Sequence, residues 1–174
     1  MFEYNTRFTP FSLAGFRQWP HNPEETEGYI LVDKDGVVDF YPAHIELYEI
    51  PKAILQVASS SGRTVRGSFH SHPTGCTSTK CFYQPPSITD LNSVHTLCDC
   101  EQVKLCKHVI VTNGRLFIIK FQRNPSQDRF TLLMQTLETL KSKNFSPEVH
   151  ESHWMNTVDQ FADVVSVKTM PTPG

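Results

Sequence analysis

Residues 67–73 constrain the fold more than any other part of the chain, because they place two histidines at alternate positions. We predict a strand over residues 64–70. On a strand, residues i and i+2 point to the same face, so His70 and His72 can be directed at one common point. Pro73 predicts the end of this strand, since proline cannot donate a hydrogen bond to a sheet ladder.

A second short motif, Ser87-Ile88-Thr89-Asp90, opens a helix that we predict over residues 87–97. Asp90 would add an oxygen ligand to the two histidine nitrogens. Three protein ligands of this kind are typical of a catalytic zinc site, which keeps one position open for water. Two ordinary strand histidines are the commoner alternative for His70 and His72 taken alone. Ser87 and Asp90 are also explained as a helix cap, and capping is compatible with metal binding.

Turn signals and hydrophobic periodicity elsewhere predict strands and helices that interleave. The predicted strands are residues 28–32, 37–41, 45–50, 64–70, 108–112 and 116–121, with hairpin turns at 33–36 and at Asn113-Gly114. The predicted helices are residues 52–60, 87–97, 128–143 and a short one around 150–162. Helical spacing within 128–143 indicates core packing for Phe130, Leu133, Met134, Leu137 and Leu140. These elements predict an α/β (α+β) fold, a mixed curved β-sheet flanked by helices.

The length of 174 residues fits one domain with a single core, and 39% hydrophobic with 20% charged residues makes disorder unexpected. We expect residues 1–22 to form an irregular, aromatic-rich arm that packs on the core. Residues 23–145 would be the main, catalytic domain. Residues 146–174 would be its C-terminal extension, ending in a frayed tail at 171–174.

Charge and hydropathy exclude several classes of partner. A net charge of -2 gives no basic surplus for nucleic acid. No apolar run approaches the roughly 20 residues of a membrane span, and residues 1–7 lack the pattern of a signal peptide. We therefore expect a cytoplasmic protein with reduced thiols, because an odd number of cysteines is unusual in a secreted chain.

An upstream glutamate completes the pattern. Pro23-Glu24-Glu25-Thr26-Glu27-Gly28 precedes an apolar strand, His70-Ser71-His72-Pro73 follows, and then Ser87-x-x-Asp90. This order of motifs, over about residues 23–94, resembles the JAMM/MPN (JAB1/MPN/Mov34) zinc metalloprotease family. The resemblance implies the MPN fold, which is similar to that of cytidine deaminases. The later strand pair and helix also suit the family.

The resemblance implies a role for each motif residue. His70, His72 and Asp90 would bind Zn²⁺, with a water in the fourth position. Glu25 would be the general acid/base, and Ser87 would stabilise the oxyanion of the tetrahedral intermediate. Glu24 and Glu27 are local rivals of Glu25, and a solvated acidic turn is the alternative for all three.

The resemblance also implies an activity. The chain would be a stand-alone isopeptidase or peptidase that cleaves after the C-terminal glycine of a ubiquitin-like modifier. Its partner would be the C-terminal tail of that modifier, with the enzyme a monomer or weak dimer, and antiviral defence operons are one setting. The alternatives are a hydrolase of sulfur-carrier adducts or of cell-wall or phage-tail peptides, and a non-catalytic MPN scaffold.

Two features depart from the family pattern. The spacer between His72 and Ser87 holds fourteen residues, 73–86, and the family has about seven. Residues 74–86 would shape substrate choice or form a lid, or they are a tolerated surface insertion. The cysteines invite a second, structural zinc site with His108 as a further ligand, although reduced thiols are the simpler interpretation. These cysteines are Cys76, Cys81, Cys98, Cys100 and Cys106.

Overall fold

The structure is a computed structural model that describes residues 5–47, 49–73, 85–98 and 107–173. Residues 75–82, which form the extra part of the long spacer, lie outside these ranges. So do Cys76, Cys81, Cys100 and Cys106, together with the side chain of Cys98. The hypotheses about a specificity loop and a second zinc site therefore stay predictions.

Within the described residues, six strands form one mixed sheet flanked by five helices. The strands are β1 Glu27–Asp33, β2 Val38–Pro42, β3 Arg63–Ser71, β4 Lys107–Val111, β5 Arg115–Phe121 and β6 Val165–Pro171. The helices are α1 Pro10–Gln18, α2 Lys52–Ser60, α3 Ile88–Cys98, α4 Gln127–Lys141 and α5 Pro147–Asp159. The sheet order is β2-β1-β3-β4-β5-β6, with β3 and β4 parallel and the other neighbours antiparallel. The predicted α+β class with a mixed sheet is confirmed.

Both predicted hairpins are present, and each turn has a local chemical cause. Between β1 and β2, Asp33 Oδ1 accepts hydrogen bonds from the amides of Asp35 at 2.8 Å and Val37 at 2.9 Å. Gly114, between β4 and β5, has a φ of 86°, a conformation that glycine adopts without strain. Such turns are strong sequence signals because they depend on residues close together in the chain.

Strand alternation determines which helices cover the candidate site. Val109 and Val111 belong to the apolar cluster that includes α1, whereas Ile110 belongs to the cluster under α3, α4 and α5. His70 is paired with Ile110 in the parallel ladder of β3 and β4. His70 and His108 therefore project from the sheet towards α3, because residues two apart on a strand share a face.

The expectation of an irregular backbone at the N-terminus is wrong for residues 10–18, which form α1. Thr9 caps this helix by accepting a hydrogen bond from the Ser12 amide, and Pro10 occupies its first turn. Phe8, Phe16 and Trp19 pack on the core as expected, whereas Phe11 is 57% exposed. Phe16 lies in the cluster under α1, and Trp19 stacks on Phe69 with ring centroids 5.1 Å apart.

One strand is missing from the prediction, and one predicted strand does not form. Residues 165–171 form β6 and pair with β5 along its whole length, so Pro171, the predicted start of the frayed tail, belongs to a strand. The alternating Val165 and Val167 bury one face of that strand. The strand predicted over 45–50 does not form in its described residues. There the Ile45 amide donates to the Glu27 carboxylate at 2.7 Å instead of to a neighbouring strand.

The apolar stripe of α4 packs as predicted. Phe130, Leu133, Leu137 and Leu140 are buried in one cluster, and Met134 packs partly buried against it. Trp154 of α5 is buried in the same cluster. In the part of the chain that the structure describes, we find no helix with the length and apolarity needed to cross a membrane.

Candidate metal centre

The two histidines of the alternating motif converge at the end of β3. Their Nε2 atoms lie 3.2 Å apart, so the predicted common face is confirmed. The His72 amide donates to the Val111 carbonyl at 2.9 Å, which continues the parallel ladder one residue beyond β3. His72 is only 8% exposed and His70 is partly buried, so their positions are set by the sheet.

Asp90 reaches the same point from the first turn of α3. Its amide donates to Ser87 Oγ at 2.9 Å, and its own Oδ2 accepts from the Ser87 amide at 2.9 Å. This reciprocal pair is a capping box, so the cap predicted as an alternative is present. The carboxylate also lies 3.2 Å from His70 Nε2 and 2.9 Å from His72 Nε2. Capping and metal binding are therefore compatible in one side chain.

The three donor atoms fit one zinc ion. His70, His72 and Asp90 each offer a ligand atom, and these atoms all lie within 4.8 Å of one another. Ligand atoms bonded to one tetrahedral zinc at about 2.0–2.2 Å lie roughly 3.3 Å apart. The two Nε2 atoms lie 3.2 Å apart, and the Asp90 carboxylate lies 3.2 Å from His70 through Oδ1 and 2.9 Å from His72 through Oδ2. All three separations are close to the zinc value, although each histidine faces a different carboxylate oxygen. Two imidazole nitrogens and one carboxylate oxygen are also ligand types that zinc accepts.

The carboxyl group of Asp90 is held in its charged form. Burial alone would raise its pKa, but hydrogen bonds from His70, His72 and the Ser87 amide outweigh burial and hold the pKa well below its usual range. A carboxylate that is ionised at all ordinary pH values is available as a metal ligand, because metal binding requires the deprotonated form.

Glu25 and Glu27 both line a cavity of about 270 Å³ together with His70 and Asp90. Glu27 lies directly opposite His70 in the ladder of β1 and β3. The carboxylate of Glu27 accepts a hydrogen bond from the Ile45 amide. Glu25 precedes β1 and is exposed. The structure thus brings both glutamates to the cavity but gives them different surroundings.

Apolar and polar residues share the remaining lining of the cavity. The apolar ones are Ile45, Leu47, Val94 and Leu97, and the polar ones are Thr89, Ser93 and His108. Leu47 is 40% exposed although it is a large apolar residue. The segment that carries Leu47 is tied to β1 by the bond to Glu27 and by the Glu46 amide, which donates to the Tyr29 hydroxyl at 3.1 Å.

His108 is a member of the site that the sequence did not predict in this role. The sequence indicates His108 only as a further ligand of a second zinc ion. In the structure its Nε2 lies 2.5 Å from Nδ1 of His70, and its Nδ1 lies 2.7 Å from Ser68 Oγ. Burial lowers the pKa of His108 well below its usual value, and the charge of His70 lowers it further. A polar histidine at the start of an apolar strand was the signal available in the sequence.

Comparisons with known proteins add no functional assignment. No protein-family model matches the chain, and no curated protein matches it. Among solved structures, the solution structure of protein DSY2949 from Desulfitobacterium hafniense is similar at a TM-score of 0.39 and 19% identity. The match covers 66% of this chain and 84% of that chain. A likeness at that TM-score carries no argument about fold or function.

Proposed function

We propose that the protein is a zinc-dependent isopeptidase or peptidase of the JAMM/MPN type, with the MPN fold. Its substrate would be a peptide or isopeptide bond that follows the C-terminal glycine of a ubiquitin-like modifier. The observation that carries this proposal is the convergence of His70, His72 and Asp90 beside a cavity that Glu25 also lines. Motif order in the sequence supports the same assignment.

His70, His72 and Asp90 would hold the zinc ion. When bound, zinc supplies a Lewis acid that polarises a carbonyl group and makes water acidic enough to lose a proton near neutral pH. The residues that hold it come from a strand end and a helix start. Backbone hydrogen bonds at both places keep the ligand atoms in position.

Glu25 would accept the proton of the attacking water and donate it to the leaving amine. Its exposure favours this role, because a carboxylate that exchanges protons needs access to water and substrate. Glu27 is a weaker candidate, since its carboxylate accepts the Ile45 amide at 2.7 Å. Glu24 is exposed as well, but it does not appear among the described residues that line the cavity.

Ser87 would stabilise the oxyanion that develops on the scissile carbonyl. Its Oγ accepts the Asp90 amide, and a serine hydroxyl that accepts one hydrogen bond still has its own proton to donate. A donor held by a helix cap needs little reorganisation during the reaction, which is the condition for effective transition-state stabilisation.

The size of the cavity is compatible with a narrow peptide tail. A volume of about 270 Å³ is small for a drug-sized ligand but sufficient for a few residues without large side chains. The C-terminal glycine of a ubiquitin-like modifier meets that requirement. Leu47 and Leu97 would offer apolar contacts to the tail.

Cleavage of ubiquitin-like fusion proteins, followed by mass measurement of the products, tests the proposal. We expect cleavage after the glycine, loss of cleavage with a chelator and recovery with added zinc. Glu25→Gln should lower kcat by at least about 100-fold, the usual contribution of a general acid/base. Glu24→Gln is the matched control and should keep its activity.

Full activity in Glu25→Gln, or cleavage that persists without metal, would contradict the assignment. Zinc binding without cleavage of any fusion would favour the scaffold. Cleavage of a sulfur-carrier adduct or a cell-wall peptide alone would favour the other hydrolases considered above.

A further inference from the structure

His70 is supported from behind by two buried residues that the proposed reaction does not use. His108 on β4 contacts His70 Nδ1 through its Nε2 at 2.5 Å, and Ser68 Oγ lies 2.7 Å from the other ring nitrogen of His108. His108 is 3% exposed and Ser68 is 6% exposed. This arrangement is a continuous chain of hydrogen bonds that leads from the metal centre into the core.

We propose that His108 and Ser68 are positioning residues, which hold His70 in the tautomer and ring orientation that a zinc ligand needs. The inference rests on the proposed metal centre and deepens it. Neither residue would bind zinc, although His108 also lines part of the cavity. Their role would be to act through His70, as residues behind metal-bound histidines commonly do.

The direction of the hydrogen bonds follows from the chemistry of imidazole. His70 can bind zinc through Nε2 only when its ring proton is on Nδ1. That N–H then donates to His108 Nε2, so the proton of a neutral His108 must be on Nδ1. The second N–H donates in turn to the Ser68 hydroxyl oxygen. Zinc bound at His70 Nε2 therefore determines the tautomer of His108.

The sheet holds this chain of contacts in place. Ser68 and His108 are direct partners in the parallel ladder of β3 and β4, and His70 follows on the same face. At the neighbouring position the strands approach closely, since a Cβ added to Gly67 would lie 2.8 Å from the Lys107 carbonyl oxygen. The three side chains are thus placed by backbone pairing and not by a mobile loop.

The choice of histidine behind His70 has a physical reason. Metal-bound histidines usually donate to a carboxylate, a backbone carbonyl or a water. Here the position is buried, and an additional carboxylate would be costly to remove from water. A neutral imidazole accepts the same hydrogen bond without adding a negative charge to the site.

Zinc affinities of purified variants, measured by competition with a chelator, test the inference without relying on activity. His108→Leu removes the acceptor and should weaken zinc binding about 10- to 100-fold, the usual effect of losing such a partner. His108→Gln keeps an acceptor oxygen near the position of Nε2 and should restore most of the affinity. Ser68→Ala should give an intermediate loss.

Proton–nitrogen correlation spectra of the imidazole rings provide a second readout. We expect the metal-free wild-type protein to show His70 protonated mainly on Nδ1, and metal-free His108→Leu to shift His70 towards the other tautomer. Circular dichroism establishes which variants fold. If His108→Leu does not fold, Ser68→Ala and His108→Gln decide the question.

Folded variants that bind zinc as tightly as the wild type, with an unchanged His70 tautomer, would overturn the role given to His108 and Ser68. The proposed metal centre would be unaffected. A wild-type protein that binds no zinc would overturn the metal centre itself. The two failures are therefore distinguishable.

Discussion

Asp90 and Ser87 exchange two hydrogen bonds of 2.9 Å across the first turn of α3, and the same Asp90 carboxylate contacts both histidines. One side chain therefore stabilises the start of a helix and belongs to the candidate ligand set. Substitutions at these two positions should separate the two contributions, because the side-chain oxygen of Asn at position 90 can still accept the Ser87 amide but is a poor zinc ligand.

We expect Asp90→Asn to lose zinc binding while keeping most of the stability of the metal-free protein. Ser87→Ala should cost about 1 kcal/mol of unfolding free energy, the typical loss of a cap. Urea unfolding in the presence of a chelator measures the stability, and a chelator competition measures the metal. Equal zinc affinity in Asp90→Asn and wild type would remove Asp90 from the ligand set.

Zinc should raise the melting temperature of the wild-type protein. A ligand that binds only the native state at 100 times its Kd adds about 2.7 kcal/mol of stability. Thermal scans with zinc, magnesium or a chelator check this, and only zinc should give a large shift. His72→Ala should abolish the shift. His44→Ala, which removes an exposed histidine, is the control and should leave it unchanged.

Gly15→Ala should destabilise the protein although alanine favours helices. A Cβ at this position would lie 2.3 Å from the Trp19 ring, and that ring is only 7% exposed and stacked on Phe69. The ring cannot move aside without disturbing the core, so we expect a loss of about 1–3 kcal/mol, as for other overpacked sites. Urea unfolding measures it, with Gln18→Ala at the exposed end of α1 as control. A neutral or stabilising result would show that the core relaxes easily.

The turn at Asp33 predicts a pH dependence of stability. Hydrogen bonds from the Val37 and Asp35 amides, opposed by partial burial, lower the pKa of Asp33, and Arg63 and Arg7 lower it further. The charged form is therefore favoured by folding. Its contribution to stability is present above the unfolded pKa of about 3.9 and is lost as pH falls through the lower folded value.

Asp33→Asn tests that prediction because the amide keeps a hydrogen-bond acceptor but has no charge to titrate. The wild type should be more stable than Asp33→Asn at pH 7, and the difference should shrink as the pH is lowered towards about 2. Urea unfolding at several pH values gives the comparison. A difference that stays constant with pH would contradict the assigned charge effect.

Local patterns allowed much of the site to be predicted. His70 and His72 are two apart on a strand, and Ser87 and Asp90 are three apart at a helix start, so sequence spacing alone determines their relative directions. The contact between His108 and His70 joins residues 38 apart in the sequence. It depends on the register of β3 against β4, which no local pattern specifies.

The errors in the predicted secondary structure also have physical causes. Thr9 and Pro10 are a recognisable helix start, but the many aromatic residues around them suggested an irregular arm. The alternation of Val165 and Val167 is too short to distinguish an edge strand from a loop before its partner is known. The apolar residues at 45–50 predict a strand. The Ile45 amide, however, donates its hydrogen bond to the Glu27 carboxylate and is not available to a neighbouring strand.

The parallel pairing of β3 and β4 has a consequence for the order of assembly. Parallel neighbours require a crossover, so His70, Asp90 and His108 meet only after β3 and β4 have paired and α3 has docked on them. Contacts between distant residues form slowly, because loop-closure entropy is lost before the contacts compensate for it. We therefore expect the centre to be completed after the folding transition state. Zinc would then slow the unfolding of the native protein and leave the rate of folding nearly unchanged.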